Sequence, residues 1–254
     1  MQQLGFAVGV LTVLSGCAMI ANLDDYAAAP QPDAPDGAAT AQPDAAFSDA
    51  RVASFGDATA TAEAGTFDCT PSPDLLACAD LATAWPYAGC FADLGNSVSF
   101  AAGALVAQIA AADGAYCTQP VLRTVDALTY DIDLFVDARS TSQSASVAIA
   151  SVVFDVDYSL AVSIFGGHYE LEWGHEGHTN QADLGVPVTT RAWTHVTMKM
   201  DVKHTVHVSI DGVPAPAVAI APAPTQLQSI EVGGTSATGG PFLLRLRNLR
   251  VTSP

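Results

Sequence analysis

The segment His168-Tyr169-Glu170-Leu171-Glu172-Trp173 has the most chemically suggestive spacing in this 254-residue chain. In extended backbone alternate side chains share a face. His168, Glu170 and Glu172 therefore stand together, opposite Tyr169, Leu171 and Trp173. Two carboxylates flanking a glycosidic bond can divide the roles of acid and nucleophile or base, and Glu170 and Glu172 are the pair best spaced for it. Asp131 and Asp133, like Asp155 and Asp157, repeat the spacing, but the next residue on the same face is Phe135 or Ser159. A solvated strand face explains each stretch more simply, so no catalytic residue is assigned.

Histidines give a second candidate chemistry. His175-Glu176-Gly177-His178 offers two imidazoles and a carboxylate, donors that suit Zn²⁺. Gly174 and Gly177 oppose the helix that would bring both rings to one side, and an exposed polar loop is the plainer expectation. His204 and His207, three apart on a strand, point to opposite faces. No metal site is assigned. Several Asp at strand ends leave Ca²⁺ open, without the ligand spacing that would choose among them. There is no Gly-x-Ser-x-Gly, and no cofactor is expected.

The elements that carry these residues have a period of two. Tyr130, Ile132, Leu134 and Val136 alternate with Asp131, Asp133, Phe135 and Asp137, and alternation returns over 193–200 and 204–210. Strand candidates recur with Gly, Asp or Pro between them, which predicts an all-β, antiparallel β-sandwich. Asp201 to Lys203 reads as a hairpin turn and Asp211-Gly212 as the end of the next strand. In the last strand Phe242, Leu244 and Leu246 share one parity, Leu249 and Val251 the other; a bulge near Arg247-Asn248 would keep all five inward. The 75–85 stretch reads as a short helix, and Ala101 to Ala112, rich in Ala but containing Gly103, is ambiguous.

The N-terminal quarter is different in kind. Leu4 to Leu14 is an 11-residue apolar stretch, about half the length needed to span a bilayer and suited to a signal peptide. It leads into Leu14-Ser15-Gly16-Cys17. This resembles the bacterial lipobox, which implies lipidation of Cys17, although Met1-Gln2-Gln3 lacks the usual basic residue. Residues 18–65 hold 17 Ala, four Pro and eight acidic residues against one basic, Arg51. So few large apolar side chains cannot repay the entropy of ordering, and a disordered tether of roughly 35–40 Å root-mean-square reach is expected. Ala18 is not the Asp that retains many such lipoproteins at the inner membrane, which implies the outer membrane or cell surface. With Cys17 set aside, Cys69, Cys78, Cys90 and Cys117 form an even set that reads as two disulfides, with three connectivities open.

Residues 66–254 are left as one domain. The chain carries a net charge of −17, with nine basic residues against 26 acidic, so nucleic acid is not an expected partner. Within this domain, Trp193-Thr194-His195-Val196, Asp211-Gly212, Ile230-Glu231-Val232-Gly233 and Arg247-Asn248-Leu249-Arg250-Val251 look like the closing third of a concanavalin A-like, laminin-G-type jelly roll. Gly114-Ala115-Tyr116 resembles an early strand of that fold. The resemblance implies a glycan-binding or protein-interaction module, or a glycoside hydrolase. Hydrolase members carry Glu-x-Asp-x-Glu on one strand, whereas the first place here is His168. It also implies a structural role for His195, while Arg247 stands where an Asp commonly precedes the Asn. The expectation is a lipid-anchored, non-catalytic module for glycan or an envelope protein. A degenerate hydrolase and a structural envelope component are the alternatives.

Overall fold

The computed structural model describes residues 67–254, apart from 88, 94, 138–145, 156–157, 176–177, 222–223, 237–239 and 241. The signal segment, Cys17 and the 18–65 stretch lie outside the described residues. Those described form sixteen strands and no helix. The first eight are β1 (Leu75–Ala79), β2 (Gly89–Ala92), β3 (Ser97–Ala101), β4 (Ala104–Ile109), β5 (Asp113–Thr124), β6 (Leu128–Val136), β7 (Val147–Phe154) and β8 (Tyr158–Phe165). Then come β9 (His168–His175), β10 (His178–Pro187), β11 (Trp193–Met200), β12 (Thr205–Ile210), β13 (Val213–Pro214), β14 (Val218–Ala219), β15 (Gln226–Ser236) and β16 (Phe242–Thr252).

They build two antiparallel sheets. One runs β13-β12-β11-β6-β16-β4-β3, with β1 added on β16 and β14 on β12; the other runs β10-β9-β8-β7-β15-β5-β2. The period-two pattern sets which side chains fill the space between them. Tyr130, Ile132, Leu134 and Val136 of β6 are buried, as are Val206, Val208 and Ile210 of β12. Across the core, Leu160, Val162 and Ile164 of β8 and Tyr169 and Leu171 of β9 are equally hidden. Alternation leaves the other half of each strand on an outer face, so the sandwich presents two such faces.

The β16 bulge occurs where the parity change requires it. Its register against β6 slips between Arg247 and Arg250, and Asn248 takes a left-handed φ of 56°. Phe242, Leu244, Leu246, Leu249 and Val251 are consequently all buried. The expected 75–85 helix is absent. Leu75–Ala79 instead pairs with the end of β16, where backbone pairing and burial outweigh the helical preference of Ala and Leu. Ala101 to Ala112 resolves into a hairpin of β3 and β4. Ala102 and Gly103 turn it with φ of 51° and 71°, the left-handed pair that a tight hairpin demands.

Cysteine pairing is Cys69–Cys78 and Cys90–Cys117. The first ties the segment before β1 to that strand. The second joins directly opposed residues of β2 and β5, fastening a four-residue edge strand to the seven-stranded sheet.

Candidate functional site

The outer face of the seven-stranded sheet holds Glu170 and Glu172. Register carries one row of side chains across the whole sheet, from Gln181 through Glu172, Ala161, Ser151, Glu231 and Thr118 to Gly89. Glu172 and Glu231 are three strand steps apart, about 14 Å at the usual strand spacing. Only Ala161 and Ser151 stand between them, so a trough of small residues separates two carboxylates. A neighbouring row sets Asp183 against Glu170 and Glu170 against Ser163.

Each carboxylate has a distinct environment. Glu172 Oε1 accepts from the Ser146 hydroxyl at 2.7 Å and the Gln181 amide at 3.0 Å. Glu170 has a buried Oε2 with no hydrogen-bond partner. Burial, then the charges of Glu172 and Asp183, push its carboxyl above the ordinary range, with His168 opposing. Opposite it, the Ser163 hydroxyl is fully buried and also without a partner. Glu231 accepts from Ser151 at 2.9 Å; burial raises its carboxyl, and the Ser151 hydrogen bond only partly offsets this.

Beside Glu231 lies a shallow depression lined by Tyr116, Ala148, Ser151, Gly233 and Thr235 among others, with room for little more than a water molecule. It is far too small to engulf a ligand, so a ligand here would lie along the surface. Gly233 lets β15 pack closely against β5 at this point. Its φ is +144°, and a Cβ there would meet Ala115 O at 2.4 Å and Tyr116 Cα at 2.5 Å. Phe91, 53% exposed, stands 5.9 Å from the Tyr116 ring and extends this end of the trough with apolar surface.

The nine-stranded sheet has an outer face of another character. Asp133 of β6 meets His195 Nδ1 at 2.8 Å and accepts from Asn248 Nδ2 at 2.7 Å and Arg247 Nε at 3.3 Å. Asp131 accepts from the Thr197 hydroxyl at 2.7 Å. The Arg247 guanidinium lies 4.0 Å above the Trp193 ring and that of Arg245 5.2 Å above Phe135. His195 is pinned further by its backbone, which exchanges hydrogen bonds with Asp211 at the turn after β12. Each of these groups is engaged by a neighbouring strand, and the constellation reads as a staple across β11, β6 and β16.

The remaining candidates are placed as follows. His175 and His178 are directly opposed across β9 and β10 and both exposed, with the His175 ring edge-on to Tyr158 at 5.1 Å. Among the described residues no group of three or more His, Cys, Asp or Glu could hold a metal ion. His204 is not on a strand; it sits in the turn before β12 with φ 56°, while His207 approaches Asp201 at 3.4 Å. Asp155 sits in the turn directly after β7, and Asp157 and Glu176 lie outside the described residues. Aromatic placement also differs from the simplest picture of a sugar platform. Trp85 donates to Thr118 O at 3.0 Å, Trp193 lies under Arg247, and Tyr130, Tyr158 and Tyr169 are buried. The aromatics exposed on the seven-stranded face are Phe91 and Phe165.

Sequence reasoning placed Glu170 and Glu172 on one face but missed Glu231 and Ser151. The available signal was an acidic residue between the strand residues Ile230 and Val232, followed by Gly233-Gly234. A model of the concanavalin A-like lectin/glucanases superfamily, of the laminin G type, matches residues 111–253. The chain belongs to this superfamily. No curated protein matches it. Among solved structures it is similar to an endo-β-1,4-glucuronan lyase from the fungus Trichoderma reesei, at 10% identity and a TM-score of 0.57, covering 71% of this chain and 96% of that one. A sialidase aligns at 13% identity and a TM-score of 0.49, over 65% of this chain and 16% of that one. The receptor-binding domain of botulinum neurotoxin type G aligns at 10% and 0.48, over 65% and 42%. Likeness at this level is likeness of fold.

Proposed function

We propose that the protein is a lipid-anchored surface module that binds glycan, without cleaving it, along the outer face of the seven-stranded sheet. The observation that carries this reading is the trough of Ala161 and Ser151, bounded by Glu172 on one side and by Glu231, Tyr116 and Phe91 on the other. Carboxylates that accept from sugar hydroxyls beside an aromatic edge are the usual parts of a sugar site. Membership of a superfamily of lectins and glucanases agrees with it. Cys17 supplies the anchor, since more than one acyl chain makes attachment stable. The 18–65 segment supplies reach, and the outer membrane is the proposed address.

Two experiments test the parts separately. Radiolabelled palmitate should enter the wild-type chain and not Cys17→Ala; equal labelling of both would refute the anchor. The Cys17→Ala protein applied to a glycan array should retain oligosaccharides, and silence across the array would refute sugar binding.

A hydrolase is the second reading, favoured by Glu170. A carboxyl pushed above the ordinary range by burial, next to Glu172, which receives two hydrogen bonds, is the kind of asymmetric pair that acid-base cleavage uses. Release of reducing ends from β-glucans, abolished by Glu170→Gln, would establish cleavage in place of simple binding.

A further inference from the structure

Charge is divided unevenly between the two outer faces. The seven-stranded face carries Glu170, Glu172, Asp183 and Glu231. Across all seven of its strands the one Lys or Arg is Arg123, near the end of β5, where it donates to the Pro73 carbonyl at 3.1 Å. On the nine-stranded sheet, by contrast, Lys199, Arg245, Arg247 and Arg250 all take outward positions on β11 and β16.

Hydrogen-bonding capacity is equally one-sided. Glu170 Oε2 is an acceptor with nothing donating to it, and the Ser163 hydroxyl opposite, fully buried, has no partner either. Ionised carboxylates only accept. A ligand lying along a row of carboxylates is favoured when it brings donors, and sugar hydroxyls or ammonium groups qualify. A carboxylate or sulfate would add like charge beside four carboxylates, with no Lys or Arg among the described residues of the face to hold it.

We infer that this face selects neutral or amino-bearing polysaccharides and rejects uronate and sulfated ones. The inference rests on the sugar-binding reading above and gives its substrate class. It also separates this chain from its fold neighbour, whose name specifies a polymer of glucuronic acid.

Three β-1,4-linked hexamers share a backbone and differ in charge: glucose, glucosamine and glucuronic acid. Calorimetric titration into the full Cys17→Ala chain, at mildly acidic pH and low salt, compares them directly. The glucosamine hexamer should bind at least tenfold tighter than the glucuronic acid hexamer, with the glucose hexamer between. Added salt should narrow the gap, since exposed charges separated by more than the ~10 Å Debye length at 0.1 M are largely screened. Glu170→Gln with Glu172→Gln should shrink the gap to threefold or less at an unchanged melting temperature, while Lys199→Gln on the opposite sheet leaves it intact. Glucuronic acid binding as tightly as glucose, or a gap that survives the double substitution, would overturn the inference and leave sugar binding standing. Failure of all three hexamers to bind would overturn the sugar-binding reading, and the inference with it.

Discussion

Both outer faces of the sandwich carry carboxylates, and they use them in opposite ways. On the nine-stranded sheet Asp133 binds three partners from two neighbouring strands, His195 of β11 and Arg247 and Asn248 of β16. On the seven-stranded sheet Glu170 has an oxygen with no partner, and Glu231 is raised by burial with one hydroxyl for company. Polar groups that are mutually satisfied hold strands together. Polar groups left short of donors cost stability where they stand and gain only when something binds. The contrast is what favours the seven-stranded face in the proposed reading, although the other bears the more conspicuous cluster of His, Asp and Arg.

Substitutions can break or sharpen this contrast. Gly233→Ala should have the largest effect, about 3 kcal/mol of destabilisation in urea unfolding, because a side chain at that φ meets backbone atoms of Ala115 and Tyr116. Tolerance of Ala there would mean that β5 and β15 can shift, and the depression beside Glu231 would not be a fixed feature. Asp133→Ala should cost about 2 kcal/mol, since it leaves a guanidinium, an amide and an imidazole without their shared acceptor. If sugar binding fell while stability held, the staple would be a site and the assignment of the two faces would be reversed.

A smaller effect of opposite sign is expected at Glu231. Its carboxyl is raised in the folded state, so the native protein holds that proton at a pH where the unfolded chain has released it. Folding stability contributed by this group therefore falls as pH rises from the ordinary glutamate value of 4.5 through the raised one, and stays lower above it. Glu231→Gln keeps an acceptor for Ser151 and removes the buried charge. It should melt slightly above wild type at neutral pH, with the difference closing toward pH 4.5 and below. A variant less stable than wild type at neutral pH would show that the charge is compensated by a partner other than Ser151.

Much of the fold was legible in the residues themselves. Alternation in β6, β11 and β12 gave the buried side of each strand, because a side-chain period of two leaves no other arrangement once one face is apolar. The parity change in β16 gave the bulge for the same reason. Local preference misled where tertiary pairing prevailed: the Leu- and Ala-rich segment 75–79 has the composition of a helix and became a strand, since β16 offered it a paired, buried place. His204 was misread for a local reason: the turn at Asp201, whose carbonyl accepts from the His204 backbone, holds it in the left-handed region before β12.

Of the candidate site, sequence spacing determined that Glu170 and Glu172 share a face and that four cysteines could form two bridges. What it could not determine was which distant strands lie side by side. Ser151 and Glu231 are 80 residues apart in sequence and 2.9 Å apart in space. The row from Gln181 to Gly89 draws on seven strands whose order in the sheet is not their order in the chain. Periodicity is a local property, fixed by the geometry of extended backbone, and the sequence displays it directly. Adjacency of strands, the pairing of Cys90 with Cys117, and the separation of an acidic outer face from one that carries the cations arise only when the sheets close over their common core.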